Sequence, residues 1–352
     1  MRWKLEARSD AAPWLGLALP LAAVAATLVL CSGLIALAGA NALEAYRLML
    51  AGALGSQFNA TETLVKAAPM IFTGLAVAVA FRARFWNIGA EGQLMAGAVA
   101  AAFVGAIPMP GPLAMLAMAL AGAAAGGLVA LVPALLRVKL KVDDVVTSLL
   151  LNSVVLYAVM ALIEGPWKDP FSGYPISPPI EDAAALPRLI TGTRLHLGVA
   201  AAFIAAGLVW VLMARTTLGF RIRVTGENPA AARYGGIAVG RVLVATALIS
   251  GGLAGLAGVG EVGGVHFQVM SDLSPGFGYS GIVIAMLARL NPLGVVPAAI
   301  FFAIVMTGAE AMSRSTGVPV FLADVLQGTA LIAMLVALLF TTHRIRRAGA
   351  AA

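Results

Sequence analysis

The chain has 352 residues, 61% of them hydrophobic and 11% charged, with a formal net charge of +7. Soluble globular domains average about a quarter charged residues, so this composition excludes one. Apolar stretches of about 20 residues recur from end to end and predict a polytopic helical membrane protein. The basic excess sits at the ends of the apolar runs, which excludes a nucleic-acid face, and runs this continuous argue against a membrane barrel.

The first run, 14–38, is too long for a cleavable signal and reads as an uncleaved span. It holds Cys31, the single cysteine, so neither an intrachain disulfide nor a cysteine metal site is expected. A mixed stretch, 41–63, follows on the far side. Further spans are predicted at 64–81, 88–107, 113–136, 145–163, 195–213, 242–259, 279–290, 295–309 and 321–340. The expected fold is therefore an all-α, transmembrane helical bundle of about 10 spans, one domain over 1–352. With the N-terminus inside, the outer segments hold only Arg47, Lys66, Lys168, Arg188, Arg194 and Arg314, leaving the other 17 of the 23 basic residues inside. That bias orients both termini to the cytoplasm, makes 164–194 an external loop and places 214–241 in the cytoplasm. Three small-residue motifs, Gly122/Gly126, Gly251/Gly255 and Gly260/Gly264, suit close helix approach.

Two places interrupt the spans. At 81–93, Asn87 and Glu91 are four apart and would share a helical face, with Gln93 beyond them. Gly89 and Gly92 would let the backbone break there. The segment is either a solvated inner loop or a broken helix at membrane depth. The second place, 260–292, combines a Gly-rich turn, a polar run at 266–274 and an apolar segment of about a dozen residues, too short to span. Short or broken segments in both halves of a transporter point to its translocation pathway.

Between them, 215–241 is the longest polar, basic interval. Asn228 is a good N-cap, Pro229 suits the first helical position, and Gly235-Gly236 can take a left-handed stop. The helix would be about 9 Å long, too short to stand alone. It is either part of an ordinary basic loop or a docking helix for a soluble partner.

Three stretches carry a resemblance. GENPAAARYGGI at 226–237 resembles the coupling-helix segment of ABC importer permeases of the branched-chain amino acid, ribose and nucleoside group. FWNIGAEGQLMAG at 85–97 and GYSGIVIAMLARLNPLG at 278–294 are similar to stretches of the nucleoside-type permeases in that group. The resemblance implies a multi-pass permease of the bacterial inner membrane with no cofactor of its own. Its implied partners are a second homologous permease in a heterodimer, a cytoplasmic ABC ATPase carrying ATP–Mg, and an external substrate-binding lipoprotein. Glu227, Asn228, Pro229, Ala230, Arg233, Tyr234 and Gly235 would form the ATPase contact. Asn87, Gly89, Glu91, Gly92, Gln93, Tyr279 and Ser280 would belong to the pathway or its broken helices. The expected cargo is a nucleoside or related sugar, the rival reading being an ion-coupled secondary carrier of a small polar solute.

Enzymatic readings fare worse. No GxxxxGK[ST] occurs, so ATP would be hydrolysed elsewhere. Gly278-Tyr279-Ser280-Gly281 matches a serine-protease motif, but the only later histidine is His343, at the opposite end of the spans. His196 and His266 are expected at the outer interface. Glu261, Glu310, Asp324 and Gln327 are expected near the same side, in capping or rim roles.

Overall fold

The computed structural model describes residues 3–7, 15–37, 39–170, 173–316 and 343–347, with isolated positions between 325 and 339. Twelve helices order these residues. They are α1 (Leu15–Leu37), α2 (Ala42–Leu54), α3 (Gln57–Arg82), α4 (Ala90–Gly105), α5 (Gly111–Leu135), α6 (Asp144–Glu164), α7 (Leu197–Arg215), α8 (Thr217–Glu227), α9 (Pro229–Tyr234), α10 (Val239–Glu261), α11 (Phe277–Leu287) and α12 (Pro292–Thr316). Among the described residues six helices are long and apolar enough to cross a membrane: Gln57–Arg82, Gly111–Leu140, Asp144–Glu164, Leu197–Arg215, Val239–His266 and Pro292–Thr316. Ala25–Leu37 and Ala42–Leu54 add one pair bent by 114°, and α4 and α11 are shorter apolar helices. The tenth predicted span, 321–340, falls largely outside the described residues, as do Asp324 and Gln327.

The contacts divide into two compact units, 1–59 with 304–352, and 60–303. In the first, strands β1 (Trp3–Ala7) and β2 (His343–Arg347) pair antiparallel, Trp3 opposite Arg347 and Ala7 opposite His343. This amends the all-helical expectation: both strands lie beyond the apolar runs, where no span dictates helix. The Asn41 side chain caps α2 by accepting from the backbone N–H of Leu43 and Glu44, at 2.9 and 3.3 Å. The Tyr46 hydroxyl donates to the Leu28 carbonyl at 2.5 Å and ties α2 to α1.

In the second unit, α4, α5 and α10 cross at their glycines. A Cβ on Gly126 would strike the Gly251 carbonyl, one on Gly255 the Gly122 carbonyl, and one on Gly97 would come within 2.7 Å of the Gly255 carbonyl carbon. Two of the predicted small-residue motifs thus face each other across the α5–α10 contact, where backbones meet without side chains between. The third does not serve this way. Gly260 faces open space, and Gly264 lies under the His196 imidazole.

α3 is buried along nearly its whole length. Before α7, residues 173–196 form a strap. Arg194 forms a bidentate ion pair with the buried Glu62 of α3, its Nε 3.0 Å from both carboxylate oxygens. Backbone bonds lace this loop to the turn after α10: Ser177 N–H to Val269 O at 2.9 Å, Ile180 N–H to Phe267 O at 2.9 Å and Leu186 N–H to Gly263 O at 2.7 Å. Glu261 is buried, with a carboxylate oxygen 3.5 Å from His266 Nε2, so its expected rim role is corrected. His196 is buried as the N-cap of α7, while Glu310 makes an i,i+4 pair with Arg314 at 3.9 Å.

Candidate functional site

The first interruption is a real break. After α3 the chain turns at Arg84, with φ 52°, runs without regular structure through Asn87, and restarts as α4 at Ala90 with Gly89 as N-cap. A non-helical segment among apolar spans must find partners for its backbone groups. Here α6 supplies them from one face. Asp144, Ser148 and Asn152 stand at i, i+4 and i+8. Asp144 accepts from Trp86 N–H at 2.6 Å, Ser148 Oγ from Ile88 N–H at 3.1 Å, and Asn152 Oδ1 from Gly92 N–H at 2.8 Å. Asn152 Nδ2 also donates to the Ile88 carbonyl at 2.8 Å. Arg137 donates to the Arg84 carbonyl at 2.6 Å and pairs with Asp144. The sequence reading missed this triad, whose signal was three polar residues four apart on a largely apolar span.

Asn87 and Glu91 do not share a helical face, because Asn87 precedes the helix. Asn87 instead forms a closed amide pair with Gln93: Nδ2 donates to Gln93 Oε1 at 2.9 Å, and Oδ1 accepts from Gln93 Nε2 at 2.8 Å. Its second proton goes to Ser250 Oγ of α10 at 2.9 Å, and its oxygen also accepts from Gly89 N–H at 3.0 Å. Both amides are fully buried. Gly92 does not break the backbone; it lies inside α4, where a Cβ would come within 3.0 Å of Asn152 Cα.

Glu91 reaches the other interruption. Its carboxylate accepts from Gly278 N–H, at 2.6 Å, in the first turn of α11. The positive end of a helix is a favourable partner for a buried carboxylate. Thr73 Oγ1 of α3 donates to the Phe277 carbonyl at 2.9 Å, so α3, α4 and α11 meet at this point. The chain reaches it through a π-helical turn at Val262–His266, a left-handed Phe267 and a loop ending at Gly276, with φ 92°. Tyr279 faces a cavity of about 410 Å³ shared with Glu91, whereas Ser280 is buried and absent from its wall.

The interval 214–241 carries two helices. The first, α8, went unforeseen because its sequence has no apolar stripe; Thr216 starts it, its Oγ1 accepting from Gly219 N–H at 3.1 Å. The second is α9, as its punctuation predicts. Asn228 Oδ1 accepts from the N–H groups of Ala230 and Ala231, both at 3.0 Å, Pro229 is the first residue, and Gly236 takes φ 78°. Ala232 is buried and seats α9 on its neighbours. Glu227, Asn228, Pro229, Ala230, Arg233, Tyr234 and Gly235 are all exposed, Tyr234 at 98%. Beside them a recess of about 650 Å³ runs from Val138 to Leu248, with Arg233 at its edge.

Comparison with known proteins agrees with this architecture. Residues 59–335 match the family described as branched-chain amino acid transport system, permease component. A glucose ABC transporter permease protein of Haloferax volcanii is 34% identical over 97% of this chain and 93% of its own length. A guanosine ABC transporter permease protein of Bacillus subtilis is 31% identical over 94% of each. A nucleoside ABC transporter permease protein of Lactococcus lactis is 30% identical over 80% of each. With the helical spans, the two breaks and the exposed short helix, these matches establish that the chain belongs to the branched-chain amino acid transport system permease family and is a permease of an ABC transporter.

Proposed function

We propose that this permease imports a nucleoside or related sugar delivered by an external binding lipoprotein across a bacterial inner membrane. In this reading it pairs with a second homologous permease and is driven by a cytoplasmic ATPase that holds ATP–Mg. The observation that carries it is α9. A six-residue helix capped at both ends, held by Ala232 and presenting Arg233 beside a tyrosine exposed at 98%, is built for contact with another protein. An aromatic ring left in water by its own chain is a common anchor of protein interfaces. The relatives that transport glucose, guanosine and nucleosides favour the same cargo class. Antiparallel pairing of β1 with β2 brings the chain ends together, which supports both termini on one side and hence an even number of crossings such as ten.

The mechanism is alternating access. Closure of the ATPases on nucleotide pushes on Asn228 to Gly235, and the glycine-packed α4, α5 and α10 carry the movement to the two breaks. Vesicles holding both permeases and the ATPase are expected to take up guanosine or glucose only with ATP inside and binding protein outside. Arg233→Glu is expected to abolish uptake while the chain still folds. Uptake by this chain alone, lost when an ion gradient collapses, would instead establish a secondary carrier.

A further inference from the structure

The cavity beside the second break has a composition that its surroundings do not require. Along α6 the exposed side chains are apolar through Val146, Leu149 and Leu150, as expected for lipid contact. Further along, the same helix exposes Ser153 and Tyr157 beside Val154 and Met160, Tyr157 at 75%. Tyr157 is seven residues from the end of α6, about 10 Å at 1.5 Å per residue, too deep for a headgroup belt. Across from it stand Ser271, Ser274 and the half-exposed Tyr279, and together with Glu91 they wall the cavity of about 410 Å³. A tyrosine hydroxyl facing outward at span depth calls for water or protein, since hydrocarbon offers it no hydrogen bond.

We infer that this cleft is a substrate subsite on the translocation pathway, in which Tyr157 and Tyr279 hold the flat face of an uncharged, hydroxyl-rich solute. The inference rests on the importer reading above. Its chemistry is specific. No lysine or arginine lines the cleft, so it offers nothing to an anionic solute. Its one carboxylate, Glu91, already accepts from Gly278 N–H at the start of α11 and so shapes the floor. What remains for cargo is the two tyrosines, the hydroxyls of Ser153 and Ser271, and the apolar wall of Met95, Leu156, Val159 and Met160. Such a set stacks on a base or the apolar face of a sugar ring while bonding its hydroxyls. The Tyr279 hydroxyl lies 3.4 Å from Asn152 Nδ2, which sets the ring against the α6 face that secures the first break. A solute held there would therefore sense both breaks at once.

The test uses the assembled transporter in vesicles. Cys31, the native cysteine, is buried, so the unaltered chain serves as the blank. Tyr157→Cys and Ser271→Cys are expected to react with a charged, membrane-impermeant methanethiosulfonate, to be protected by guanosine or glucose, and Leu150→Cys to stay unreactive. Tyr157→Ala is expected to raise the KM for uptake about tenfold or more, with Tyr157→Phe near the parent value, as loss of one base–aromatic stack implies. If position 157 reacts no faster than position 150, or reacts only when the second permease is omitted, the face meets lipid or the partner and the subsite is overturned. Modification without substrate protection overturns it equally. Failure of the unaltered complex to move either solute would instead count against the cargo reading, while cysteine reactivity still reports whether water fills the cleft.

Discussion

Gly226 lies so close to Arg82 that no side chain fits between them. A Cβ there would strike the Arg82 carbonyl oxygen, with its carbonyl carbon at 2.9 Å and Ala83 Cα at 3.2 Å. The end of α8, immediately before α9, thus bears on the residues where α3 ends and the first break begins. Under the proposed mechanism, a push on α9 would reach Asn87 by this contact and, through α4, the Glu91 bond to α11.

Gly226→Ala is therefore expected to separate that route from docking. Forcing one methyl into a packed backbone contact costs about 1–3 kcal/mol. The variant is expected to melt at lower temperature and to retain the ATPase on co-purification, yet to lose uptake. Unchanged uptake would show that movement does not pass through this contact.

Tyr234→Ala tests the exposed ring. Because its side chain touches almost nothing within the chain, stability is expected to change by no more than about 0.5 kcal/mol. Loss of an aromatic interface anchor costs about 2 kcal/mol or more, roughly thirtyfold in affinity. Titration of the ATPase onto the permease, read beside thermal unfolding, checks both halves.

Asn87→Ala would strand the Gln93 amide and the Gly89 N–H in a buried site, while the Ser250 hydroxyl keeps its bond to the Ala76 carbonyl. Each orphaned group costs about 1–3 kcal/mol, so the variant is expected to be among the least stable at this break. Thermal unfolding in detergent measures it, and a melting temperature equal to that of the parent would mean water replaces the amide.

Two glycines of similar sequence setting should part company. Gly255→Ala forces α5 and α10 apart at the Gly122 carbonyl, whereas Gly260→Ala adds a methyl to open space. Unfolding is expected to come markedly earlier for Gly255→Ala and to stay unchanged for Gly260→Ala.

His196 sets an acid limit outside the spans. Burial holds its imidazole down at about 4, below its ordinary 6.5. The unfolded chain takes up the proton first, so stability is full above pH 6.5, falls as pH drops toward 4 and levels below it. The full loss is on the order of 3 kcal/mol, and His196→Gln is expected to flatten the pH dependence over that window.

The sequence by itself determined the class of protein, most helix positions and the whole of α9, because apolar run length, helix caps and Gly–Pro punctuation act locally. It also located both interruptions, since Gly and polar residues inside an apolar run are visible without a fold. Only the tertiary structure decided what those residues do. Asn87 looked helical and is not, because Asp144, Ser148 and Asn152, about 60 residues away, satisfy a non-helical backbone in its place. Glu91 looked like a member of one break and joins two, through a hydrogen bond to Gly278 across 187 residues of chain. The strap bound by Arg194, the terminal strand pair and the cleft at Tyr157 were equally hidden. Each depends on partners distant in sequence, and a hydrogen bond made across the fold leaves no periodicity in either segment.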